Sequence, residues 1–98
     1  MEFEKHYKIL LELNSDWDVE SIEFDHEREE VLVKLIYKSK SYIDPQTNDL
    51  CTIYDHRKER EWRHLDTMQY KTFIVSSIPR VQNSQGKVFT IEVPWADG

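Results

Sequence analysis

Cys51 is the only cysteine among 98 residues, which removes the two cross-links on which small β-rich chains most often rely. An intramolecular disulfide needs two thiols. A zinc site of the usual ribbon kind needs paired Cys or His ligands two to four residues apart. Here His6, His26, His56 and His64 are scattered, with no Cys-x-x-Cys and no His-x-x-x-His spacing. The fold must therefore come from an apolar core. With 39% hydrophobic and 12% aromatic residues the chain can bury one, and its length suits a single domain, 1–98.

Periodicity locates the elements of that core. Phe3, Tyr7 and Leu10, with Leu11 beside them and Ile9 and Leu13 on an adjoining line, recur at helical spacing, so residues 1–14 are expected to form an amphipathic helix that Asn14-Ser15-Asp16 stops. Trp17, Val19, Ile22 and Phe24 lead into the polar turn Asp25-His26-Glu27-Arg28. Val31, Val33, Leu35 and Tyr37 then alternate in period two, which predicts a β-hairpin over 17–37 with one buried face. From Lys38 to Leu50 the sequence is loop-like, and Pro45 and Asn48-Asp49 suit turns. Trp62-Arg63-His64-Leu65-Asp66 fits a strand or a single helical turn, and we read it as a strand. Another strand spans Phe73, Ile74 and Val75 up to Ile78 and is closed by Pro79. Asn83-Ser84-Gln85-Gly86 is a turn, and a last strand runs from Val88 to Val93 before Pro94. The expected class is α+β, an N-terminal helix followed by a β-rich antiparallel module.

Charge narrows the partners. Thirteen Lys and Arg against 19 Asp and Glu give a net charge of -6, and a field of that sign repels a polyanion. The acid is concentrated in residues 1–50, with 6 basic and 13 acidic side chains against 7 and 6 in residues 51–98. A nucleic-acid role therefore requires a local patch. The densest candidate is His56-Arg57-Lys58-Glu59-Arg60-Glu61-Trp62-Arg63-His64, where Arg57, Lys58, Arg60 and Arg63 suit phosphates, and Lys71 and Arg80 extend the patch if their strands lie alongside. Glu59 and Glu61 dilute it, so a mixed-charge solvated face is an equally open reading. Trp17, Trp62 and Trp95 read as core or interface anchors.

Nothing in the chain points to catalysis. Cys51 reads as a small buried hydrophobe, and Glu29-Glu30 and Asp16-Asp18 read as acids on solvated turns. Gly86 and Gly98 are too few for a phosphate-cradling loop. We expect no catalytic residue and no cofactor. No apolar run approaches the ~20 residues of a spanning helix, and Met1-Glu2-Phe3-Glu4-Lys5 lacks a secretory pattern, so the expected setting is the cytoplasm, away from membranes.

Five segments in register carry a resemblance. They are Tyr54-Asp55-His56-Arg57, Glu61-Trp62-Arg63-His64-Leu65-Asp66-Thr67, Gln69-Tyr70-Lys71-Thr72, Ile78-Pro79-Arg80-Val81 and Val93-Pro94-Trp95-Ala96. In order and spacing they resemble the N-terminal zinc-finger (zinc-ribbon) domain of bacterial insertion-sequence transposases of the ISL type. The resemblance implies a non-catalytic DNA-binding domain, or a remnant of one, that helps recognise terminal inverted repeats ahead of a separate nuclease domain. It also implies metal-ligand positions that this chain fills otherwise. Asp44-Pro45-Gln46-Thr47 stands for a Cys-Pro-x-Cys pair, and Asn83-Ser84-Gln85-Gly86 for the second pair. With Asp44, Thr47, Asn83 and Gly86 at those positions, and Cys51 in neither pair, the implied product is a metal-free ribbon packed by Trp62, Leu65, Phe73, Ile78, Val93 and Trp95. The alternative is a protein-protein module, dimerising through the Phe3-Tyr7-Leu10 stripe or docking on other transposase domains.

Overall fold

The computed structural model describes residues 2–95. A helix, α1 (Glu2–Leu10), precedes eight strands: β1 (Trp17–Asp25), β2 (Glu30–Tyr37), β3 (Ser41–Ile43), β4 (Leu50–His56), β5 (Arg60–Thr67), β6 (Tyr70–Ser76), β7 (Pro79–Gln82) and β8 (Val88–Thr90). They form two four-stranded sheets, ordered β1-β2-β6-β5 and β3-β4-β7-β8. The molecule is elongated, 49 × 23 × 22 Å. Its architecture is α+β, a helix followed by a β-rich region.

The first sheet grows from the alternation in β2, whose Val31, Val33, Leu35 and Tyr37 are all buried. Antiparallel β1 supplies Trp17 and Val19 opposite Tyr37 and Leu35, then Ile22 and Phe24 opposite Val33 and Val31. The apolar residues of β1 change parity between Val19 and Ile22 because the register shifts between Val19 and Ser21. One extra residue there keeps both halves of the strand on the core face. On the other side of β2, β6 runs parallel to it and sets Thr72 and Ile74 beside Val31 and Val33. The module is therefore mixed, where the sequence predicts an antiparallel one. A parallel neighbour needs a long crossover. Here the chain supplies it by building β3 and β4 and returning through β5.

The second sheet is antiparallel throughout. Cys51 and Val81 are buried in it, as is Ile91 just past β8, with Tyr42, Ile53 and Phe89 packed against the same core. Two of its strands lie where no strand was expected: β3 inside the loop-like stretch, and β7, which Pro79 opens. Proline is tolerated as the first residue of a strand, and three or four residues are too few to show a period. β8 ends at Thr90 and not at Val93. β5 and β6, which follow the loop-like stretch, return to join β1 and β2 in the first sheet. Tyr37 bridges the two, donating its hydroxyl to the Ser41 carbonyl at 2.6 Å, and burial pushes that hydroxyl up to about 12.

α1 lies on the core face of the first sheet. Tyr7 of the helix and Leu11 in the turn just after it are buried, whereas Leu10 is partly exposed and Ile9 is 79% exposed. The inward stripe is thus Phe3-Tyr7-Leu11, at spacing i, i+4, and the Leu10 assignment is corrected. The helix also stops at Leu10, short of Asn14. Phe3 packs edge-on to Phe24 at 5.4 Å, and Lys8 pairs with Asp18 at 2.9 Å. The stripe that needed a partner finds it within its own chain. Ala96, the last residue of the Val93-Pro94-Trp95-Ala96 segment, and the Leu65 side chain lie outside what the structure describes.

Beneath the helix, the Tyr7 hydroxyl, Thr67 Oγ1 and Thr72 Oγ1 form a buried chain, with spacings of 2.5 and 2.6 Å. Deleting the first hydroxyl strands none of the three groups completely but removes one buried hydrogen bond. Tyr7→Phe is expected to cost about 1 kcal/mol, read as a lower urea midpoint with an unchanged m-value.

Candidate nucleic-acid interface

Residues 57–59 join β4 to β5 and carry the chain from the second sheet back to the first. The loop is pinned where it begins, because the Arg57 amide donates to the Ile78 carbonyl at 2.8 Å. Arg60 opens β5 opposite Ser76, a buried residue whose hydroxyl donates to the Leu35 carbonyl at 2.6 Å. Alternation then puts Arg60 and Trp62 on one face of the strand. The Arg60 guanidinium sits 4.8 Å from the Trp62 ring centre, a cation–π contact. Trp62 is held in turn by Trp95 at 5.5 Å, and Trp95 by Trp17 at 4.8 Å, both edge-on. All three tryptophans thus form one aromatic ladder. At its open end lies a groove of about 680 Å³ lined by Arg57, Lys58, Arg60, Trp62, Ile78 and Thr90.

The two acids of the cationic run are directed elsewhere. Glu59 pairs with Lys34 of β2 at 3.3 Å, and that carboxylate raises the lysine above its usual range. Glu61 stands opposite Val75, on the strand face away from Arg60 and Trp62. The charged ends of Arg57, Lys58 and Arg60 are exposed and form no ion pair with a described residue. A segment of mixed sign in sequence is therefore sorted by sign in space.

The remaining cations lie elsewhere or are engaged. Arg80 of β7 clamps Asp55 of β4 with two hydrogen bonds, Nε to Oδ1 at 2.7 Å and a second from Nη2 to Oδ2, and it covers the Tyr54 ring at 5.4 Å. Arg63 donates to the Asp66 carboxylate and to the carbonyls of His64 and Thr72, over the Phe73 ring. Lys71 neighbours Glu30 in the parallel register, five residues along β6 from Ser76, and so lies apart from the groove. His64 adds no charge: its partly buried ring, with Nδ1 unpartnered, is held below the usual histidine value by desolvation and then by Arg63.

The positions implied as metal ligands gather at the far tip of the second sheet. Because β4 and β7 are antiparallel neighbours, the β3–β4 turn (44–49) and the β7–β8 turn (83–87) lie side by side. The donors there do not fit zinc. Asp44 Oδ1 accepts from the Gln46 amide at 3.0 Å, and Asn83 Oδ1 accepts from Gln85 and Lys87 at 3.0 and 2.9 Å. Thr47 offers a hydroxyl, and Gly86, at φ +84°, offers no side chain. Cys51 is fully buried and its thiol is pushed up, first by desolvation and then by Asp49 and Asp44, the opposite of what a metal-binding thiolate needs. Among the described residues no group of three or more His, Cys, Asp or Glu could hold a metal ion. Trp62 and Phe73 belong to the first sheet, so they cannot be what holds this tip in place of a metal.

Two neighbouring turns at the end of an antiparallel sheet make this a zinc-ribbon-like module. Residues 47–82, a little over a third of the chain, match the family model described as zinc-finger of transposase IS204/IS1001/IS1096/IS1165. The module resembles those transposase zinc fingers. No curated protein and no solved structure matches the chain. The match begins at Thr47 and ends at Gln82, so it contains the groove residues Arg57, Lys58, Arg60, Trp62 and Ile78 but not Thr90, nor Asp44, Asn83 or Gly86. No helix of the described residues is long and apolar enough to cross a membrane.

The Arg80 clamp also has a pH signature. It holds the Asp55 carboxyl below its ordinary value of 3.8, so the stability it brings is complete above that value and is lost as pH falls through the lowered one. Asp55→Asn is expected to flatten the acid limb of the melting temperature plotted against pH, below the ordinary carboxylate value of 3.8, relative to the unchanged chain.

Proposed function

We propose that the groove bounded by Arg57, Lys58 and Arg60 binds the phosphate backbone of duplex DNA, as the non-catalytic DNA-contacting module of an insertion-sequence transposase or of a protein derived from one. The observation that carries this reading is the sorting of the cationic run, three unpaired cations on one groove with Glu59 and Glu61 turned away. The likeness of residues 47–82 to a transposase zinc finger supports DNA, in a cytoplasmic setting, as the polyanion, with element ends as its natural site.

The net charge of -6 does not oppose this. Much of the acid lies on β1 and the turn after it, at Asp18, Glu20, Glu23, Asp25, Glu27 and Glu29, and β1 is the edge of the sheet opposite β5. Three strand spacings of about 4.8 Å separate those edges by about 14 Å, beyond the Debye length of about 8 Å at physiological salt. The repulsion is screened where contact occurs. Strand ends and a loop line the groove, with no helix to enter a major groove, so phosphate contact and not base readout is the mode.

Three phosphate contacts give log affinity a slope of about -2.7 against log salt. Fluorescence anisotropy on a labelled duplex from low to physiological salt is expected to show that slope. Arg57→Ala, Lys58→Ala and Arg60→Ala combined are expected to abolish binding, while Lys71→Ala, away from the groove, leaves it within twofold. No binding at low salt, or binding indifferent to salt, would refute the proposal.

A further inference from the structure

The two turns at the tip of the second sheet are joined to each other by side chains. Asp49, the last residue of the β3–β4 turn, directs Oδ2 at Ser84 in the β7–β8 turn and accepts from its amide at 3.1 Å and its hydroxyl at 2.8 Å. Each turn is also closed on itself. In the first, the Asp44 amide donates to the Asp49 carbonyl at 2.9 Å and the Asn48 amide to the Asp44 carbonyl at 2.7 Å. In the second, the Asn83 amide donates to Lys87 and the Gly86 amide to Asn83, both at 3.0 Å.

A zinc ribbon faces one problem at this place: two hairpin turns with little core beneath them must be held together. A metal solves it by accepting ligands from both. We infer that in this chain the Asp49 carboxylate does so, as a hydrogen-bonded latch to Ser84 that takes the place of the metal and leaves the fold independent of zinc. The chemistry suits the task. An ionised carboxylate accepting from an amide and a hydroxyl forms charge-assisted bonds, stronger than neutral ones. Those two bonds keep the Asp49 carboxyl below its usual range, so it is ionised at neutral pH. Asp44 and Asn83, at two of the implied ligand positions, spend their side-chain oxygens on the amides of their own turns, which shapes each turn for the latch. The inference stands apart from the DNA reading, because the latch lies at the opposite end of β4 from the groove.

The test uses the full chain. Its melting temperature is expected to stay within about 1 °C on adding a strong zinc chelator or equimolar zinc, and metal analysis of the purified protein is expected to find no stoichiometric zinc. Asp49→Asn and Ser84→Ala are each expected to lower the melting temperature by about 4–8 °C, the shift that losing one net hydrogen bond brings in a domain of this length. The double variant is expected to fall by less than the sum of the two, because Ser84→Ala removes one of the two bonds that Asp49→Asn already weakens. Amide exchange reads the latch directly: protection of the Ser84 amide is expected in the unchanged chain and its loss in Asp49→Asn. If that variant does not fold, Ser84→Ala and the exchange rate of the Ser84 amide in the unchanged chain carry the test. A chelator-dependent fall in melting temperature, bound zinc at one per chain, or an unprotected Ser84 amide would overturn the inference.

Discussion

The parallel pairing of β2 with β6 is the contact on which the rest of the structure depends. It sets Val31, Val33, Thr72 and Ile74, all fully buried, side by side at the centre of the first sheet. It also decides the topology. Strands that run in the same direction cannot be joined by a tight turn, so the chain between Tyr37 and Tyr70 must make an excursion and return. The excursion is β3 and β4, which recruit β7 and β8 into a second sheet, and the return is β5. The ribbon-like part is thus held as the crossover of a mixed sheet, joined to the first sheet where Tyr37 meets Ser41 and Tyr42. Its crossing points are where the cationic loop 57–59 and the end of the tryptophan ladder come together.

That arrangement explains how an acidic chain can present a basic groove. Net charge is a property of the sequence, but what a ligand meets within a Debye length depends on which strand edge carries which sign. The alternation of β5 separates Arg60 from Glu61, and Lys34 removes Glu59. Arg63 and Arg80, equally basic in sequence, are held by Asp66 and Asp55 and act in packing. The cations left to face solvent are those that no carboxylate holds in an ion pair, a condition that a count of residues along the chain does not express.

The legible parts of the fold were those that arise from local periodicity. The alternation of β2, the polar turn before it, the strand through Trp62 and the turn at Asn83 all follow from residues close in sequence. The parallel register was not legible, because nothing in β2 or β6 names a distant partner. β3 and β7 are too short to show a period, and helical spacing alone does not tell i+3 from i+4, so it does not choose between Leu10 and Leu11. Within the groove, Arg57, Lys58 and Arg60 were visible as a charge run. The fate of Arg63, Lys71 and Arg80 depended on tertiary neighbours. Asp49 and Ser84 were each visible as turn residues, but a hydrogen bond across 35 positions leaves no mark in either turn.

Groove and tip therefore separate cleanly within one module. The stretch that matches the transposase zinc finger begins inside the β3–β4 turn, runs along β4, β5, β6 and β7, where most of the groove residues sit, and stops before the β7–β8 turn. The strands hold their shape through a shared apolar core, with Ile53 and Val81 opposite each other in the second sheet and Trp62 and Ile74 in the first. The tip needs only that its two turns stay together, and one oxygen of Asp49 meets that need by accepting from both the amide and the hydroxyl of Ser84. A binding surface on the strands asks nothing of the chemistry at the tip beyond this. A ligand set can then give way to a carboxylate latch without altering the cationic surface, which is the arrangement this chain displays.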